Sequence, residues 1–204
     1  MIYIICYDWP STSGNHTGMR YLYEYIQKRN PELYKMYTFN MGRRFFDKGK
    51  KGKKISVLFT ALKLAMTYKS GDKFVLTEYL HRDSYQILFA KIIRFICPKA
   101  PIYAMVHLVP EKLERRYSKA QIKKSSRFVT EIVTLGSSLT CYLNKLGIEN
   151  VYTSFHYVDN NYYTPSANLY NRGGDVKVIV MGALARDFEQ IAYIVSRLPQ
   201  IHFY

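Results

Sequence analysis

At 204 residues, with 48% hydrophobic and 22% charged positions, the chain has the make-up of a folded protein able to bury a real core, which excludes intrinsic disorder. Its formal charge of +15 predicts attraction to something anionic: nucleic acid, an acidic membrane face or phosphorylated substrates. No apolar run reaches bilayer-spanning length, the N-terminal run lacks the basic lead of a signal peptide, and Cys6, Cys97 and Cys141 have no metal-ligand spacing. A reducing cytoplasm is the expected compartment.

In chain order, residues 2 to 7 (IYIICY) predict a buried strand, ended by Asp8, Trp9 and Pro10. The turn SGNHTG (13 to 18) leads into a helix with Met19, Leu22, Tyr23 and Ile26 on one face. Pro31 closes that helix, and residues 33 to 39 make a second strand. After a basic loop, residues 55 to 69 predict a helix with Ile55, Leu58, Phe59 and Leu62 inward, stopped near Gly71. Strand three (73 to 79), an apolar helix (84 to 97) and strand four (101 to 109) follow. A basic helix-like segment (111 to 127) leads to strand five (127 to 136), a helix ended by Gly147, and a sixth strand (151 to 158).

Strands that alternate with helices need crossover connections. The expected fold is therefore α/β, a Rossmann-like doubly wound parallel sheet with helices on both faces. Residues 1–160 form that domain. The polar stretch 161–175, with Pro165 and a Gly-Gly pair, reads as a linker, and 176–204 begin a second Rossmann-like unit of strand, helix and strand. One such fragment is too little for an independent domain, so the second domain is expected to be truncated.

Ligands of open α/β sheets bind beyond the carboxyl ends of the strands. Gly14 and Gly18 lie there and can free backbone N–H groups for a phosphate at the helix N-terminus; an ordinary strand-to-helix turn accounts for them equally. Neither the dinucleotide fingerprint nor a P-loop is present. His107 ends strand four and would face the crevice, or would be a core histidine satisfied by a backbone carbonyl. Glu78 and His81, with Arg82 and Asp83, end strand three on the same rim. The basic charge gathers in 111 to 127 and in GRRFFDKGKKGKK (42 to 54). The latter sets Arg43, Arg44, Lys48, Lys50, Lys51, Lys53 and Lys54 around Phe45 and Phe46, a mixture suited to anionic headgroups with shallow aromatic insertion. Solvated surface is the plain alternative for either stretch.

The order of elements from LGIENVYTSFHYVDNNYYTP to VKVIVMGALARDF resembles the midsection of GT-B glycosyltransferases, in particular the retaining nucleotide-sugar enzymes of family four. HYVDNNYYTP matches that family at Val158, Asp159, Tyr163 and Pro165, and departs from it at His156 and Tyr157. VIVMGALARDF supplies the Gly182 and Arg186 of the second domain's opening strand and helix start.

The resemblance implies a retaining transfer of sugar from a nucleotide-sugar donor to a glycan or lipid-linked acceptor, in cell-surface polysaccharide or glycolipid synthesis. It implies Gly14, Gly18, Gly182 and Arg186 on the donor, His107 near the reacting centre, and His16, Glu78 and His81 on the acceptor. No D-x-D motif is present, so no metal or other cofactor is expected, and helix N-termini with Arg or Lys would meet the diphosphate charge. Relatives work at the inner face of membranes, so peripheral contact with an anionic membrane surface is expected. The alternative is a basic α/β nucleic-acid-binding protein, for which the charge and twenty tyrosines speak. Nucleic acid is nonetheless not an expected partner: no RNP, KH, zinc-finger or helix-turn-helix signature occurs, and the aromatics do not interleave with the basic clusters.

Overall fold

The computed structural model describes residues 1–7, 16, 19–38, 50–157, 159–164, 177–180 and 187–204, with Lys50, Lys51 and Lys177 described by backbone alone. The chain divides into two compact units, Met1–Asp159 and Asn160–Tyr204.

The first unit is built on six strands: β1 (Ile2–Cys6), β2 (Tyr34–Thr38), β3 (Lys73–Leu76), β4 (Ile102–Val106), β5 (Glu131–Thr134) and β6 (Val151–Thr153). Every pairing is parallel and the order across the sheet is β2-β1-β3-β4-β5-β6. Parallel neighbours require crossovers, supplied by α1 (Met19–Arg29), α2 (Lys50–Met66), α3 (Gln86–Ile96), α4 (Pro110–Glu114), α5 (Lys119–Ser126) and α6 (Ser137–Lys145). The result is a Rossmann-like α/β layer structure. From β1 the chain steps one way to β2 and then back past β1 to β3, so the topological switch point lies between β1 and β3.

Side-chain alternation along the strands sorts the two layers. Ile4 and Cys6 of β1 join Val75 and Met105 against Met19, Tyr23 and Ile26 of α1. Ile5, Phe74, Leu76, Ile102, Ala104 and Val106 point the other way, into the larger core formed with α2, α3, α5 and α6. Met19, Tyr23 and Ile26 thus lie inward as their spacing predicts, whereas Leu22, expected on the same face, is half-buried and outside that cluster.

Three expectations change. The basic segment 111–127 is two helices, because the chain breaks after α4 and restarts at a capping box in which Ser118 and Gln121 bond each other's backbone N–H groups. Strands three to six are shorter than expected: β3 stops at Leu76, β4 at Val106, β5 covers only Glu131–Thr134 and β6 stops at Thr153. The inward face of α2 is also different: Val57, Ala61, Leu64 and Ala65 are buried, while Ile55, Leu58 and Phe59 are exposed. The helix is apolar on two stripes, so spacing alone does not choose between them. The stripe with small residues lets its backbone approach α3 closely.

The second unit holds β7 (Lys177–Val178), α7 (Phe188–Arg197) and β8 (His202–Phe203), one parallel βαβ turn. Asp187 caps α7 by accepting from the Gln190 N–H at 3.0 Å. Among the described residues no helix is long and apolar enough to cross a membrane.

The face assignment of α2 is open to a direct check. Val57→Ser should destabilise the protein by about 2–3 kcal/mol, and Phe59→Ser by less than about 0.5 kcal/mol. Denaturant unfolding of the two variants against the wild type measures both.

Candidate functional site

Beyond the carboxyl ends of β1 and β3 the connecting chains part, and the loop after β3 fills the edge of that gap. It is fastened by one side chain. Gln86 is fully buried at the start of α3; its Nε2 donates to the Ile5 carbonyl at 2.9 Å and its Oε1 accepts the Glu78 N–H at 2.8 Å. Ser84 Oγ lies 2.7 Å from the Glu78 carbonyl and 2.8 Å from that of His81. Tyr79 donates its N–H to the Met105 carbonyl at 2.8 Å and its hydroxyl to the Ser125 carbonyl at 2.7 Å. Burial keeps that hydroxyl protonated.

Within this frame Leu80 and Tyr85 adopt left-handed backbone, with φ of 58° and 53°. Non-glycine residues there cost roughly 1 kcal/mol or more each, tolerated only where the surroundings over-determine the chain. The bonds just described do so. Such strain collects at working parts of proteins, and here it sets the positions of Glu78 and His81.

His107 follows β4 directly. Its Nε2 lies 2.8 Å from the Thr77 carbonyl. A carbonyl only accepts, so Nε2 carries the proton and the neutral ring presents Nδ1 as an acceptor. Burial lowers the His107 pKa from its ordinary 6.5, opposed in part by the Thr77 bond. His81 is lowered by burial first, then by Arg116 and His107, with Asp83 opposing. His156, whose ring centroid is 6.1 Å from that of His107, is lowered by burial and then by His107 itself. Tyr7, just after β1, lies 6.4 Å ring to ring from His81, and Lys53 of α2 donates to the Tyr7 hydroxyl at 3.1 Å while sitting over its ring.

The structure therefore gathers His107, Glu78, His81 and Lys53 on one rim and adds Tyr7 and His156. The expected carbonyl partner of His107 is present, and the ring is nonetheless only half-buried. His16 stands in a second cluster. Its Nδ1 is 2.8 Å from Asp159 Oδ2, its carbonyl accepts from the Tyr157 hydroxyl at 3.1 Å, and its ring is 4.4 Å from that of Tyr21. Lys50 and Lys51 lie in the first turn of α2, and Lys54 is exposed on the same helix. Gly14, Gly18, Arg43, Arg44, Phe45, Phe46, Lys48, Gly182 and Arg186 lie outside the described residues, as do Val158 and Pro165. The second basic segment contributes Lys123 and Arg127 to an open cleft of about 610 Å³ at the opposite, amino-terminal edge of the sheet.

Gln86, Ser84, Tyr7 and His156 were not singled out from sequence. The signal for Gln86 was an amide opening a largely apolar helix, where a buried polar group must have partners. Among the described residues, no group of three His, Cys, Asp or Glu side chains is placed to hold a metal ion. Compared with models of known protein families the chain matches none, and compared with curated proteins it has no match either.

Gln86→Leu removes the amide's bonds to the Glu78 N–H and to the Ile5 carbonyl, the latter keeping only its bond from the Thr77 N–H, and should cost about 1–3 kcal/mol in denaturant unfolding. The three histidines yield a pH dependence. Each has a native pKa below its ordinary 6.5, so beneath that value the unfolded chain binds protons that the folded chain does not. Their stabilisation is present above pH 6.5 and is lost as the pH falls through the window below it. Unfolding free energy measured downward from about one unit above the ordinary histidine value should show this decline, and His107→Gln should flatten it.

Proposed function

We propose that the protein is a glycosyltransferase of the GT-B kind. The unit Met1–Asp159 takes the acceptor, and residues from 176 onward open the nucleotide-sugar side. The observation that carries the reading is His107: a neutral imidazole at the carboxyl edge of a parallel sheet, its tautomer set by the Thr77 carbonyl, beside the loop that carries Glu78 and His81. A hydrogen-bond acceptor held there can orient a sugar hydroxyl toward an anomeric carbon. A carboxylate and a second imidazole nearby suit the remaining hydroxyls of a glycan or lipid-linked acceptor.

Transfer breaks the bond between the anomeric carbon and the diphosphate and forms one to the acceptor oxygen. The departing nucleoside diphosphate gains charge that must be met in place. Arg186, the backbone N–H groups around Gly14 and Gly18, and Gly182 are assigned that role. The sequence has no D-x-D motif, and the reaction proposed is retaining and metal-independent. The products belong to cell-surface polysaccharide or glycolipid synthesis at the cytoplasmic face.

The test uses the protein expressed from its whole reading frame. A panel of nucleotide-sugars should raise the melting temperature, because a ligand bound only to the native state stabilises it. Arg186→Ala should mainly weaken donor binding, and His107→Ala should lower kcat by roughly 10²-fold with donor binding kept. EDTA should leave turnover unchanged. Wild-type activity in both variants defeats the residue roles. Absence of any nucleotide-sugar shift, together with salt-sensitive binding of single-stranded oligonucleotides, replaces this reading with the nucleic-acid one.

A further inference from the structure

The outer surface of α2 and α3 is built the wrong way round for a water-facing layer. α2 turns its small residues inward and its large apolar ones outward: Phe59 is 65% exposed and Met66 80% exposed, with Ile55 and Leu58 also open. On neighbouring α3, Phe95 is 88% exposed and Ile96 is open as well. Between the two helices runs a groove of about 660 Å³ lined by Leu58, Leu62, Leu88, Ile92, Phe95 and Phe128. Scattered single apolar residues on a surface need no explanation, but a continuous patch of this kind marks a binding face.

The charge on the same face says what kind of partner fits. Neither helix contains an acidic residue, while α2 carries five lysines and α3 a lysine and an arginine. Lys54, Lys63 and Lys91 are exposed around the apolar patch. The basic, phenylalanine-containing segment 42–54 runs directly into α2. Large apolar side chains bordered by lysines, with no carboxylates, is the composition of an element that lies in a membrane interface. The apolar atoms enter the acyl boundary and the long lysine stems keep their charges among anionic headgroups. A second copy of the chain would instead bring two lysine-rimmed faces together with no opposite charge between them.

We infer that the α2–α3 face docks the protein on an anionic lipid bilayer. The inference does not depend on sugar transfer. Vesicles without any nucleotide-sugar report on this face, and the melting shift with nucleotide-sugars in solution reports on the site, so the two readings fail separately.

Flotation with phosphatidylcholine vesicles, with and without phosphatidylglycerol, tests it. The wild type should bind the phosphatidylglycerol vesicles and not the neutral ones, more weakly at high salt because the charges are screened. The triple variant Phe59→Ser, Met66→Ser, Phe95→Ser should keep the wild-type melting temperature, since all three are exposed, and lose binding by on the order of tenfold or more. The triple variant Lys54→Gln, Lys63→Gln, Lys91→Gln should lose the salt-sensitive part of the binding. Wild-type flotation of the apolar variant overturns the assignment. So does a wild-type dimer in light scattering that the apolar variant converts to monomer without any binding of vesicles, which would make a second copy the occupant.

Discussion

A parallel sheet leaves its crevice where the connections diverge, and here that divergence is closed by one amide. Gln86 bonds the last turn of β1 through the Ile5 carbonyl and the loop after β3 through the Glu78 N–H. The Ile5 carbonyl also accepts the Thr77 N–H at 3.2 Å, so the amide adds to the end of the β1–β3 pairing and extends it to the loop backbone at Glu78. With them joined, Ser84 can bond the Glu78 and His81 carbonyls, and the chain can pass through two left-handed residues without a glycine. The rim on which Glu78 and His81 stand, and the Thr77 carbonyl that orients His107, follow from that closure.

The electrostatics of the rim follow from burial in a basic chain. Desolvation is the largest cause of the lowered pKa at His81, His107 and His156, and His107 adds to the lowering at His81 and His156. A protein with a formal charge of +15 already disfavours further positive charge. Three rings are thereby shifted toward the neutral form, which can both accept and donate. Lys53 of α2 is set against Tyr7, whose ring is 6.4 Å from that of His81.

The two layers of the first unit differ in how they meet water. On one side α1 covers Ile4 and Cys6 with an ordinary amphipathic face. On the other, α2 gives its alanines and Val57 to the core and its phenylalanine and methionine to the outside. Close approach of the helix explains the first choice. The second is a cost in water, and it is removed only when something apolar covers the patch.

Much of the architecture was readable from residue order. Alternating apolar strands and helical stripes require parallel crossovers, and Met19, Tyr23 and Ile26 fall on the buried face of α1 because that helix has only one apolar stripe. His107, Glu78 and His81 were legible as rim residues because each lies at the end of an expected strand or in the loop just beyond it and carries polar chemistry. Tertiary structure alone decided which of two apolar stripes α2 buries, since periodicity is the same for both and packing volume makes the difference. It alone joined His16 to Asp159, 143 positions away. It also gave Gln86 its role, because the two backbone groups it bonds come from β1 and from the loop after β3 and meet only when the sheet has formed. Local sequence specifies periods and breaks; the partners of a buried polar group are a property of the whole folded chain.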